Sequence, residues 1–252
     1  MDLHEKGLLL ETCVLAGKIM IENGAEMARV EDTMNRLAGA HHHERGISFV
    51  TSGIVLMGLE STKSVQMMDV TKRTTNLEKV AKVNEYSRYF VEDRITLIQL
   101  NKMLQILDYK KNDRPMSLKV LSAGILSACL MMIVGQGSWW DFVPTFLVGA
   151  ISYTVYLISQ KYLKTKYLDE FVASFMIGLL ALTFEKWGLG LSADNMIIGS
   201  IMPLVPGIAI TNAIRDIQQD DILSGMSRAV ESLMIAVLIG AGIAAAFSFL
   251  KM

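Results

Sequence analysis

Apolar residues in the second half of this chain come in five long runs, roughly 118–135, 142–160, 171–187, 196–214 and 229–250. Each is near the ~17–25 residues that a helix needs to cross ~30 Å of hydrocarbon. Charge is distributed to match. Met1–Leu118 carries 16 Lys/Arg and 16 Asp/Glu, an ordinary soluble composition, whereas Lys119–Met252 carries only 8 and 9. The segments between the runs set a direction. Gln136–Asp141 has no Lys or Arg, Lys161, Lys164 and Lys166 follow the second run, Lys186 lies near the loop after the third, and Arg215 and Arg228 flank the loop after the fourth. By the positive-inside rule this puts the N-terminal half in the cytoplasm and the C-terminus outside. Trp139, Trp140, Tyr162, Tyr167 and Trp187 stand at run ends, where aromatic belts form. Small residues such as Gly124, Gly149, Gly178, Gly199, Gly240 and Gly242 pepper the runs and permit close helix packing.

The first half changes period along its length. Gly7–Asn23 and Glu26–His41 repeat apolar residues at helical spacing, with the break at Asn23-Gly24. Three alternating segments at 47–51, 53–59 and 64–70 read as short strands, and helices return at 76–90 and 96–107. The expected architecture is a small α+β cytoplasmic domain, residues 1–115, preceding a membrane all-α bundle of about five transmembrane helices, residues 116–252. No signal peptide is expected, since Asp2, His4, Glu5 and Lys6 crowd the first ten residues.

The fourth run holds the least regular sequence. Pro203, Pro206 and Gly207 fall in its middle. Each proline removes a backbone donor and clashes with the preceding turn. In lipid such a broken helix survives only where protein or a water-filled cavity surrounds it, and discontinuous helices of this kind hold the substrate in secondary transporters. A plain proline kink with a packing role is the simpler reading. A polar segment follows, with Asn212, Arg215, Asp216, Asp220, Asp221, Ser224, Gly225, Arg228 and Glu231. Asn212, Arg215, Asp216, Arg228 and Glu231 serve either as an internal gate or proton-binding site, or as parts of a solvated loop that sets topology. Asp220 and Asp221 fit the solvated loop. In the first half, Gly24, Glu26, Arg29 and Glu31 stand near the start of the second helix, where acids suit the helix dipole and a gating or docking surface is the alternative.

The run Pro206-Gly207-x4-Asn212-x2-Arg215-Asp216, then Gly225-x2-Arg228, resembles the membrane core of the threonine/serine exporter family, ThrE and its YjjP-like split subunits. Gly24-Ala25-Glu26-x2-Arg29-Val30-Glu31 and Thr74-Thr75-Asn76-Leu77 are similar to that family's cytoplasmic domain, so the likeness extends in order over nearly the whole chain. It implies proton-gradient-driven export of small polar metabolites, threonine and serine or dicarboxylates such as succinate, across the cell membrane. Because the chain stops at Met252 after five runs, it also implies the split form, with a short separate membrane subunit as partner, in a homo- or hetero-oligomer. Two other classes remain open on the residues: a membrane-anchored regulatory or scaffold subunit, and a passive channel.

Other classes find little support. There is no P-loop, Gly-x-Ser-x-Gly or His-Glu-x-x-His motif, so neither enzyme activity nor a cofactor is expected. Charge is balanced in both halves, which argues against a nucleic-acid partner. Cys13 and Cys129 fall in different halves and suggest no disulfide or zinc site. His41-His42-His43-Glu44 is read as a solvated helix end rather than a metal site, because adjacent histidines on a helix point in different directions.

Overall fold

The computed structural model describes residues 3–40, 44–61, 64–71, 74–110, 114–134, 137–163 and 167–251. The histidines at 41–43 lie outside these. The chain divides into two compact units, one of Met1–Asn112 with Gly207–Val230, the other of Asp113–Pro206 with Glu231–Met252. Residues 207–230 thus group with the N-terminal half, although the sequence places them with the second.

In the first unit, helices α1 (Leu3–Glu22) and α2 (Met27–Ala40) precede strands β1 (Gly46–Val50), β2 (Ile54–Leu59) and β3 (Val65–Asp69), and α3 (Leu77–Val91) and α4 (Leu97–Tyr109) follow. The strands form an antiparallel meander in the order β1-β2-β3, with Phe49 opposite Leu56 and Leu56 opposite Met67. Helix α1 is buried almost all round. Leu9, Cys13, Ala16 and Met20 pack with Met34 and Leu37 of α2, Val55 and Met57 of β2, and Leu100 and Leu104 of α4 in one core. A helix apolar on every side is stable only at such a centre. Its buried Thr12 is satisfied, donating to the Leu8 carbonyl at 2.7 Å and accepting from Asn101 at 2.9 Å. Asn76 caps α3 through the Lys79 N–H, and Thr96 and Gln99 form a reciprocal capping box on α4.

Cys13 is wholly enclosed, and burial pushes its thiol up to about 12. The thiolate is the reactive form. A maleimide applied to the intact protein is therefore expected to leave Cys13 unmodified, whereas denaturation exposes it. Peptide mapping of native and unfolded samples checks this; fast native labelling of Cys13 would contradict the core described here.

The second unit contains α5 (Met116–Val134), α6 (Trp139–Tyr162), α7 (Leu168–Lys186), α8 (Ala193–Ile201) and the larger part of α10 (Ile222–Lys251). Small residues make the closest helix contacts, as the sequence suggests. A methyl on Gly149 would collide with Ser127, one on Gly199 would stand 2.5 Å from the Ser127 carbonyl, and one on Gly242 would stand 2.5 Å from the Phe171 carbonyl. Val148, Ala173, Ile177, Met196 and Ile239 join α6, α7, α8 and α10 in a single apolar core.

Among the described residues, three helices are long and apolar enough to cross a membrane: Met116–Val134, Trp139–Tyr162 and Ile222–Leu250. The five continuous crossings expected from the runs are therefore not all present as such. The third run is α7, whose 19 residues include Asp169, Glu170, Glu185 and Lys186. The fourth is two helices, α8 and α9 (Gly207–Gln218), too short singly to span the hydrocarbon. Pro203 and Pro206 occupy the gap between them. With no N–H to offer at either position, the i to i−4 ladder ends at Ile201, whose carbonyl receives Leu204 at 2.9 Å and Val205 at 3.2 Å.

Candidate functional site

Seven of the residues singled out by sequence converge in the first unit, around the N-terminus of α2. The turn after α1 requires Gly24, whose φ of +91° lies in the left-handed region. The Thr74–Asn76 segment pins this turn from behind. Thr74 donates its N–H to the Glu22 carbonyl at 2.8 Å, and Asn76 donates to the Asn23 carbonyl at 3.1 Å. The main-chain groups of residues 24–27 are then held in place by side chains from α9 and the start of α10. Asn212 donates its amide to the Gly24 carbonyl at 2.8 Å. Arg215 pairs with Glu26. Asp216 accepts the Met27 N–H at 3.2 Å, placing a carboxylate on the positive end of α2. Arg228 closes the ring: it lies 3.4 Å from the second Asp216 oxygen and donates to the Ala25 carbonyl at 3.1 Å.

Gly225 makes this geometry possible. A methyl there would meet the Ala213 carbonyl and the Ile217 nitrogen of α9, each at 2.9 Å, so only glycine lets α10 run this close to α9. Asp216 is fully enclosed and the Arg228 side chain is 11% exposed. Burial pushes the Asp216 carboxyl above the ordinary carboxylate range. Arg228 and the Met27 N–H pull it back, while Asp221 and Glu26 push it further up. Glu31 accepts the Val50 N–H at 3.1 Å, and burial followed by the charge of Asp221 raises its carboxyl too.

Other candidates stand apart. Arg29 is exposed and takes no part in the clasp. Gly207 opens α9 with open space around it. Pro203, Pro206 and Glu231 belong to the second unit. There Glu231 accepts the Tyr167 hydroxyl at 2.9 Å, and Pro203 borders a cavity of about 440 Å³ with Arg114, Lys119, Ser122 and Tyr153. Two residues escaped the sequence reading altogether. Asp169 and Glu170, in the first turn of α7, are each only 8% exposed. The available signal was a pair of acids at the mouth of an apolar run with Ala173 and Ser174, rather than a cation, one helical turn on. No group of three or more His, Cys, Asp or Glu suited to a metal occurs among the described residues.

A helical half with membrane-crossing segments, broken by paired prolines and followed by a buried ionic clasp, has the features of a membrane transport protein. The comparison with known families makes the class definite. Residues 11–250 match the family described as "Putative threonine/serine exporter", ThrE, and the chain belongs to this family. It is similar to the protein of Escherichia coli (strain K12) named "Probable succinate transporter subunit YjjP", 25% identical over 255 residues that cover 95% of this chain and 94% of that protein. The protein of the same name from Klebsiella aerogenes is 25% identical over 256 residues, 95% of this chain and 93% of the relative. No solved structure matches the chain significantly. The protein is thus a transporter rather than an enzyme, placed in the membrane by its family and its apolar helices.

Proposed function

We propose that this chain is the larger subunit of a secondary exporter in the cell membrane, driven by the proton gradient and acting on small polar metabolites such as threonine, serine or dicarboxylates. Family membership supports the exporter class, and the relatives' description as succinate transporter subunits supports a dicarboxylate and a separate membrane partner. In this reading residues 1–115 are cytoplasmic. Residues 196–214 make the fourth of five crossings as a broken helix, and solute binds where Pro203 and Pro206 interrupt it. An assembly of several subunits is supported by the outer face of the β-sheet, where Ile47, Phe49, Val65 and Met67 are exposed.

The observation that carries the reading is the clasp. Asn212, Arg215 and Asp216 of α9 and Arg228 at the start of α10 all bond to residues 24–27, and in the chain they follow the proline break and lead into the last apolar helix. On that continuity we assign the clasp to gating. The Arg215–Glu26 pair tests it, because both side chains are partly exposed and charge reversal need not unfold the domain. Arg215→Glu and Glu26→Arg singly are expected to cut efflux at normal expression, and the double reversal to restore it. Unchanged efflux in both single variants would rule out the gate and favour a regulatory subunit whose helices serve only as anchors.

A further inference from the structure

Acids in the first turn of a helix ordinarily sit in water, where they complement the dipole. In α7 they do not. Asp169 and Glu170 are both more than nine-tenths buried, and Glu170 Oε2 has no hydrogen-bond partner among the described residues. Asp169 is its neighbour in the first turn of the helix. Tyr156 of α6 is close enough to feel both charges, and its ring is 5.6 Å from that of Tyr153. Tyr153 in turn lines the cavity shared by Arg114, Lys119, Ser122 and Pro203.

The surroundings define the ligand. From α6 the facing ionisable groups are Tyr153 and Tyr156; α8 has only Asp194, which is exposed; α10 brings Glu231, held by Tyr167. Among the described residues no Lys or Arg pairs with Asp169 or Glu170. A Glu170 carboxylate this dry, with one oxygen that no donor reaches among the described residues, is relieved by taking up a proton. A calcium ion would need six to eight oxygen ligands, far more than one pair of carboxyls offers.

We propose that Glu170, buried beside Asp169 in the first turn of α7, binds and releases the coupling proton, and that Tyr156 and Tyr153 join this site to the solute cavity at Pro203. The proposal rests on the exporter reading for the word coupling; the proton site itself does not. Infrared difference spectra of the full chain in lipid nanodiscs, recorded across pH, are expected to contain a protonated-carboxyl band that titrates. Glu170→Gln should abolish the band and the protonophore-sensitive efflux, while Glu170→Asp keeps both with a shifted pH midpoint. Tyr156→Phe provides a second variant that leaves the carboxyls in place and is expected to shift the titration. A band unchanged in Glu170→Gln, or proton-driven efflux surviving in that variant, overturns the proposal. A band that disappears in Glu170→Gln, in a chain whose own efflux ignores the proton gradient, upholds the proton site and overturns only the exporter reading.

Discussion

Replacing Arg228 with methionine is expected to destabilise the first unit by about 3–5 kcal/mol, the usual consequence of removing one partner from a buried ion pair. The guanidinium has two tasks at once, standing 3.4 Å from Asp216 and donating to the Ala25 carbonyl. Methionine matches much of its length but leaves a wholly enclosed carboxylate with, among the described residues, only the Met27 N–H. The loss has a definite pH dependence. The Asp216 carboxyl already stands above its ordinary value through burial, and without Arg228 it rises further. A carboxyl raised in the folded state favours folding at low pH, and that contribution is lost as pH rises through the folded value. The Arg228→Met penalty should therefore be largest at neutral and alkaline pH and shrink on acidification. Adding Asp216→Asn should recover a substantial part of the stability, because a neutral amide needs no countercharge. Thermal melts of the three variants across pH check each point; an additive double variant would mean that the two side chains do not interact.

The second large effect is expected at Gly225. Valine there drives its side chain into the Ala213 carbonyl and the Ile217 nitrogen, main-chain atoms of α9 that cannot step aside. Overpacking of this sort costs roughly 1–3 kcal/mol, and more where the neighbours are backbone. The Asp216 carboxyl would also move off the α2 N-terminus, so efflux should fall even where expression is normal. Gly207→Ala is the contrast. The position is open on all sides and opens a helix, so the substitution is expected to be neutral or stabilising by up to about 1 kcal/mol. Equal melts and efflux for Gly225→Val and wild type would show that α9 and α10 do not approach as described.

The local structure of the first unit was legible because its signals are local. The change from helical to alternating spacing at residue 47 marked the sheet, and Asn23-Gly24 marked the turn. The clasp was legible only as separate pieces. Glu26 and Arg215 lie 189 positions apart, and no periodicity states that the N-terminus of α2 will receive a carboxylate from α9. Family likeness picked out the motifs, and three-dimensional placement joined them. The fourth run was legible as broken, because Pro203 and Pro206 stand in its middle, and α8 and α9 end and begin on either side of them. Asp169 and Glu170 were missed because acids at a helix start look unremarkable until their burial is known.

Efflux of labelled serine, threonine and succinate from cells expressing this chain, with and without a short membrane partner, tests the central claim most directly. Export of at least one of the three in the presence of the partner, abolished by a protonophore, is the predicted result. Failure to export any of them with the partner present, or export indifferent to collapse of the proton gradient, would contradict it.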